Sequence, residues 1–230
     1  MVNKSTEINP KDEQEEFENV FGILRKQLLD ACTHFYIWEQ LFPSEKVIDI
    51  INRYIGFFQP TREAHLDGLI IKVSEILNTR HDAASFYRIL NMIGRNPNLA
   101  PDINVHEIRK RLRNHKKVTE AIKNYRNKRV AHWDTTSVKE RVVPEYAGIK
   151  RLGKPMFFGE TKEMLAELQA IYNKISASHS SEVWSFKYSQ QSDTIVLLEA
   201  LRERRAEDKK LIEYWQNKIN RENEEQNRCE

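Results

Sequence analysis

The sequence predicts an all-α protein, and three observations carry that reading. Apolar residues recur at three- and four-residue spacing in segment after segment, which is the period of one helix face. Only seven glycines and seven prolines occur in 230 residues, little material for a turn-heavy all-β fold. Those prolines fall largely between the periodic segments, where they act as stops.

Taken in order, Lys11 to Leu41 opens acidic, as a helix N-terminus prefers, and then sets Phe17, Val20, Phe21, Leu24, Leu28, Ala31 and Phe35 on one face. Pro43 ends that helix. Ser44 is placed to cap a second one carrying Val47, Ile48, Ile51, Tyr54, Ile55 and Phe58, and Pro60 is expected to break it. A third helix is expected from Thr61, with Leu66, Leu69, Ile70, Val73, Ile76 and Leu77 inward. Ser85 to Ile93 reads as a short fourth helix before a loop containing Asn96-Pro97 and Ala100-Pro101. One long helix should begin near Asn104, its apolar side marked by Val105, Ile108, Leu112, Val118, Ile122 and Tyr125, with His115 on the same stripe. Thr135 to Gly159 is irregular, with room for a strand pair at Arg141-Val142-Val143 and Met156-Phe157-Phe158. Helix resumes from Glu160 through Met164, Leu165, Leu168, Ile171, Tyr172 and Ile175. A final helix is expected from Asp193 to about Arg221, carrying Leu197, Leu198, Leu201, Leu211, Ile212, Trp215 and Ile219. The organisation expected is a single all-α domain over 1–230. Its core bundle spans about 11–190, with an insertion at 135–159 and a C-terminal helix at 193–221.

Composition excludes several classes. Hydrophobic residues are 40 % and charged residues 31 %, the balance of a soluble globular chain rather than a disordered one. Apolar runs such as Gly68-Leu69-Ile70-Ile71 are far below the ~18 residues of a membrane span. Met1-Val2-Asn3-Lys4-Ser5 leads directly into acidic residues, unlike a secretory leader. The cysteines, Cys32 and Cys229, suggest neither a disulfide framework nor a zinc site. A cytoplasmic protein without metal or other cofactor is the expectation.

A net charge of +3 decides nothing, but its distribution does. From Arg109 to Arg129 ten lysines and arginines are interrupted by one acid, Glu120. Such density favours phosphate contacts, although a basic run is about as often only a solvated helix face.

That stripe runs into Tyr125-Arg126-Asn127-Lys128-Arg129-Val130-Ala131-His132-Trp133-Asp134. On one continuous helix, six residues put Arg126 and His132 ~120° apart and ~9 Å along the axis. Both side chains are long enough to lean into one groove. A guanidinium offers charged, bidentate donors to a phosphate. An imidazole takes a proton from a ribose 2′-hydroxyl or gives one to a leaving oxygen. The Asn127 amide is placed to orient either group. Asp134 could hold the imidazole in one tautomer, and a helix-local hydrogen bond serves it equally well. Trp133 offers a face for a stacked base, against the commoner role of a Trp in a bundle core.

Arg126-Asn127-x4-His132 on a helix of an all-α chain resembles the Arg-x4–6-His signature of the HEPN superfamily, and RNKRVAHWD is similar to the motif of its AbiU2-like branch, associated with abortive phage infection. The resemblance implies a metal-independent endoribonuclease that leaves a 2′,3′-cyclic phosphate and a 5′-hydroxyl. It assigns acid–base work to His132, phosphate stabilisation to Arg126 and positioning to Asn127. Lys123, Lys128, Arg129, Trp133 and Arg80 become candidate RNA contacts, with Tyr125 and Asp134 supporting. It also implies a homodimer with two motifs across one cleft, and a role in phage defence or as a toxin beside a nucleotidyltransferase-type antitoxin. The alternatives are a non-catalytic HEPN-like module binding nucleic acid or a partner, and a plain helical scaffold.

Other candidates are weaker. Thr79-Arg80-His81-Asp82 reads as the close of the third helix, although it could line the same cleft. His34 and His65 lack partners at ligand spacing and read as structural. His179-Ser180-Ser181-Glu182 lacks the strand–turn–helix elbow of an acyl-transfer site. The aromatic run Phe35-Tyr36-Ile37-Trp38 offers a possible dimer patch.

Overall fold

A computed structural model describes residues 10–41, 48–127, 158–186 and 193–228 of the chain. Among the described residues the protein is all-α, without a strand. Helices are α1 (Pro10–Gln40), α2 (Ile48–Arg53), α3 (Ile55–Ile76), α4 (Phe86–Arg95), α5 (Val105–Asn114), α6 (Lys116–Tyr125), α7 (Phe158–Ser180) and α8 (Asp193–Arg228), with a 3₁₀ turn at Pro97–Leu99. They fall into two compact units. One holds α1 through Trp38, α3 from Glu63, and α4 to α7; the other holds α2, α3 through Arg62, and α8.

The first unit is built on the apolar faces read from sequence. Phe17, Leu24, Leu28 and Ala31 of α1 are fully buried, as are Leu69, Ile70, Val73 and Ile76 of α3 and Met164, Ile171 and Ile175 of α7. Each such Leu, Ile or Phe contributes about 1.5–3 kcal/mol by leaving water. Rings tighten the packing: Phe21 stacks on Tyr172, with centroids 4.3 Å apart. Phe35 and Trp38 belong to this core, so they do not form the surface patch expected of the Phe35–Trp38 run. Their apolar area is already spent inside the bundle.

Short helices are fixed by their caps. Ser85 Oγ accepts from the Arg88 N–H at the start of α4, and Asn104 Oδ1 accepts from the Glu107 N–H at the start of α5. The expected long helix is two, broken at His115. The His115 N–H reaches back three residues to the Leu112 carbonyl at 3.3 Å, and its own carbonyl accepts from Thr119. Leu112 before the break and Val118 after it are both buried.

Pro60 does not end a helix. It lies inside α3, on an exposed turn, and the irregularity falls at Tyr54 instead. Hydrogen bonds carry across that point, from the Tyr54 N–H to Ile50 and from the Phe58 N–H to Tyr54. Proline removes one donor, to the Gly56 carbonyl, on a side where both residues are exposed. The next carbonyl, of Phe57, takes the Thr61 hydroxyl at 2.7 Å.

Helix α7 starts at Phe158, two residues before the expected Glu160. Phe158 is therefore helical rather than the end of a strand; the rest of the expected strand pair and insertion lies outside the described residues. Helix α8 continues past Arg221 to Arg228, through a stretch in which Glu, Gln and Arg outnumber Asn223 and Asn227. In the second unit, Arg53 pairs with Asp208 at 3.7 Å and Arg205 with Asp49 at 2.9 Å, tying α8 to α2. Further along α8, Leu211, Ile212, Trp215 and Ile219 are exposed.

Candidate functional site: the end of helix α6

Helix α6 is amphipathic. Val118, Ala121, Ile122 and Tyr125 face the core, while Lys117, Lys123 and Asn124 are exposed. Tyr125 is 7 % exposed and anchors the last turn. The helical path continues through Arg126 and Asn127 as a wider π turn, with Arg126 at φ −53°, ψ −49° and its N–H bonded to the Ile122 carbonyl. Arg126 is thus carried on a backbone that the core holds in place. Its side chain is half-buried, and Asn127 beside it is exposed.

The two side chains meet. Asn127 Oδ1 accepts from Arg126 Nε at 3.3 Å and from Nη2 at 3.1 Å. The fork is held on one edge by a neutral amide, which leaves its charge uncancelled and Nη1 outside those two bonds. Lys123 lies one turn earlier on the same side. Lys128, Arg129, His132, Trp133 and Asp134 lie outside the described residues, so the distance from Arg126 to His132 is not part of this geometry.

The basic stripe divides into committed and open cations. Arg111 forms a two-point ion pair with Glu167 of α7, Nε to Oε1 at 2.6 Å and Nη2 to Oε2 at 3.1 Å. The guanidinium holds the Glu167 carboxyl below its ordinary value of 4.5, against a smaller opposing effect of burial. Lys116 lies 3.7 Å from Glu120. Lys110, Arg113, Lys117 and Lys123 point to solvent. Arg80 is not at the close of α3, which ends at Ile76. It sits in the following turn, bound to Asp82 through Nε at 3.1 Å and Nη2 at 2.6 Å.

The histidines sit in structural contacts. His34 and His65, read from sequence as structural, face each other across α1 and α3 with Nδ1 atoms 3.0 Å apart. Burial pushes both below their ordinary value of 6.5. His179 is structural, its Nδ1 donating to the Leu99 carbonyl at 2.7 Å. Cys32 is buried beneath Gln169, and burial pushes its thiol up to about 11, so it is no nucleophile. Among the described residues no three His, Cys, Asp or Glu side chains cluster as metal ligands, and no helix is long and apolar enough to cross a membrane.

Sequence reasoning passed over one group. Arg88, Asn91 and Arg95 line a cleft together with Arg109 of α5. Their spacing of three and then four residues, opposite buried Ile89, Met92 and Ile93, is the signal for a polar face on α4.

Fold and site together define an all-α protein that presents an arginine–asparagine pair at the end of a core-anchored helix. The family described as AbiU2, one of the HEPN families, matches residues 14–197, well over half of the chain. The protein belongs to that family. No curated protein and no solved structure matches it.

Proposed function

We propose that the protein is a metal-independent endoribonuclease acting as a homodimer in phage defence or a toxin–antitoxin pair. The observation that carries this reading is the tethered Arg126–Asn127 pair on the core-anchored end of α6, in a chain of the AbiU2 family. In this reading a ribose 2′-hydroxyl attacks the adjacent phosphorus. The bond to the 5′ oxygen breaks, leaving a 2′,3′-cyclic phosphate and a 5′-hydroxyl. Arg126 neutralises charge growing on the phosphate oxygens. His132 takes the 2′ proton or supplies one to the departing 5′ oxygen, and Asn127 keeps the guanidinium aimed.

The test compares the wild-type protein with His132→Ala on structured RNA in the presence of a chelator. Cyclic-phosphate ends that appear only with wild type support the proposal. Equal cleavage by both proteins, or none by either, overturns it. RNA binding that survives His132→Ala without turnover in either protein assigns a binding module instead.

A further inference from the structure

A second basic feature lies away from α6. A cleft of about 720 Å³ is formed where α1, α4 and α5 meet the turn before α4, and three arginines line it: Arg88 and Arg95 of α4 and Arg109 of α5. We propose that this cleft binds the phosphodiester backbone of RNA, as a holding site separate from Arg126; this rests on the ribonuclease reading.

Two of the guanidiniums are pre-set. Arg88 donates through Nη2 to Glu16 at 2.7 Å and through Nη1 to the Asp82 carbonyl at 3.1 Å. Arg109 donates through Nη2 to Asn91 Oδ1 at 2.6 Å. Forks held this way lose little freedom when an anion arrives. Arg109 Nε is buried and has no hydrogen-bond partner among the described residues. Since a guanidinium carries five donors, Arg109 is far from satisfied. Arg95 is exposed and makes no ion pair among the described residues. A basic residue in the last turn of α4 also suits the helix dipole, but that role does not require three arginines around one concavity.

The charge balance favours an anion. Glu16 is neutralised by Arg88, and Asp82 is held by Arg80. Arg95 and Arg109 remain as uncompensated charges. Neither acid is therefore left bare to repel a phosphate.

The chemistry selects a backbone rather than a base. No Phe, Tyr or Trp lines the cleft; its one large apolar group is Leu90 and its one ring is the exposed imidazole of His81, so three guanidiniums outnumber the single stacking face. The basic surface also continues beyond the cleft along α5, through exposed Lys110 and Arg113, the latter one turn beyond Arg109. A track longer than the pocket suits a polyanion better than a mononucleotide.

The experiment measures binding of a labelled single-stranded RNA by anisotropy across a salt series. Proteins are the full chain, Arg95→Glu and Arg109→Gln, with cleavage assayed in parallel and thermal melts as the folding control. Arg95→Glu alters an exposed side chain, so it stands if Arg109→Gln fails to fold. The expected result is about tenfold weaker binding, with the salt slope reduced by about one for each lost contact. Cleavage should show a raised KM, an unchanged kcat and unchanged cyclic-phosphate ends. Unaltered affinity and slope overturn the cleft while persistent cleavage leaves the ribonuclease reading standing. Weakened binding without cleavage in any protein supports the cleft and removes the ribonuclease. Absence of RNA binding by wild type removes both, and AMP competing at concentrations equal to RNA overturns the preference for a polymer.

Discussion

Asn127 Oδ1 accepts two hydrogen bonds from the guanidinium of Arg126, the residue immediately before it. Neighbouring residues on a helix point about 100° apart, so this contact requires both side chains to bend toward each other. A free arginine would sweep a wide volume; this one is held to a narrow part of it.

That tether gives a separable prediction for the two residues. Arg126→Lys should lower kcat for RNA cleavage by roughly 100-fold or more, since an ammonium replaces a flat, bidentate fork. Asn127→Ala should lower it by about tenfold through misplacement, with KM nearly unchanged because the charge survives. Single-turnover cleavage at saturating RNA reads both. Equal losses would show that Asn127 does more than aim Arg126, and no loss with Asn127→Ala would show that the tether is irrelevant to turnover.

Gly68 on α3 lies against the imidazole of His34. A Cβ built there would sit 2.5 Å from Cε1 and 2.7 Å from Nε2, closer than real contacts allow. The ring does not move away freely, because its Nδ1 is engaged with His65. Overpacking in Gly68→Ala should cost about 1–3 kcal/mol against the ~1 kcal/mol gained from helix propensity, a net loss of up to about 2 kcal/mol. In a His34→Ala background the clash disappears, so the same substitution should become neutral or stabilising. Denaturant unfolding of the four proteins of this cycle measures the coupling. A destabilisation of equal size in both backgrounds would place the strain elsewhere.

These contacts mark the limit of what was legible in the sequence. The inner faces of α1, α3 and α7 were, because one helix buries one stripe and the stripe repeats in the chain. Pro60 misled because its effect depends on which side of the helix its missing donor faces, and that follows from packing. The break at His115 falls in a stretch with no glycine or proline to mark it. His34 and His65 are 31 residues apart on different helices, so no spacing rule joins them. Arg126 and Asn127 were legible as a motif, whereas the grip between them needed coordinates. The Arg88–Asn91–Arg95 face was present as a three–four pattern, but its partner Arg109 arrives from another helix.

The His34–His65 contact also predicts a pH dependence of stability. At an Nδ1 separation of 3.0 Å one ring donates and the other accepts, so the contact requires at least one neutral imidazole. Burial disfavours the charged form of His34 most, Asp30 opposes that, and Lys72 adds to it; for His65 burial comes first and the facing His34 second. Both folded-state values therefore lie below the ordinary 6.5. Below 6.5 the unfolded chain takes up protons that the folded chain resists, so their contribution is complete above that pH and is lost as pH falls through the folded values. Wild-type Tm should drop between about pH 7 and 5, and a His34→Gln/His65→Gln variant should show a shallower slope over that range. Differential scanning calorimetry at matched ionic strength reads the two slopes, with the carboxylates contributing equally to both proteins. Parallel slopes would mean that the facing imidazoles titrate as they do in the unfolded chain, and the contact would then carry no pH-dependent stability.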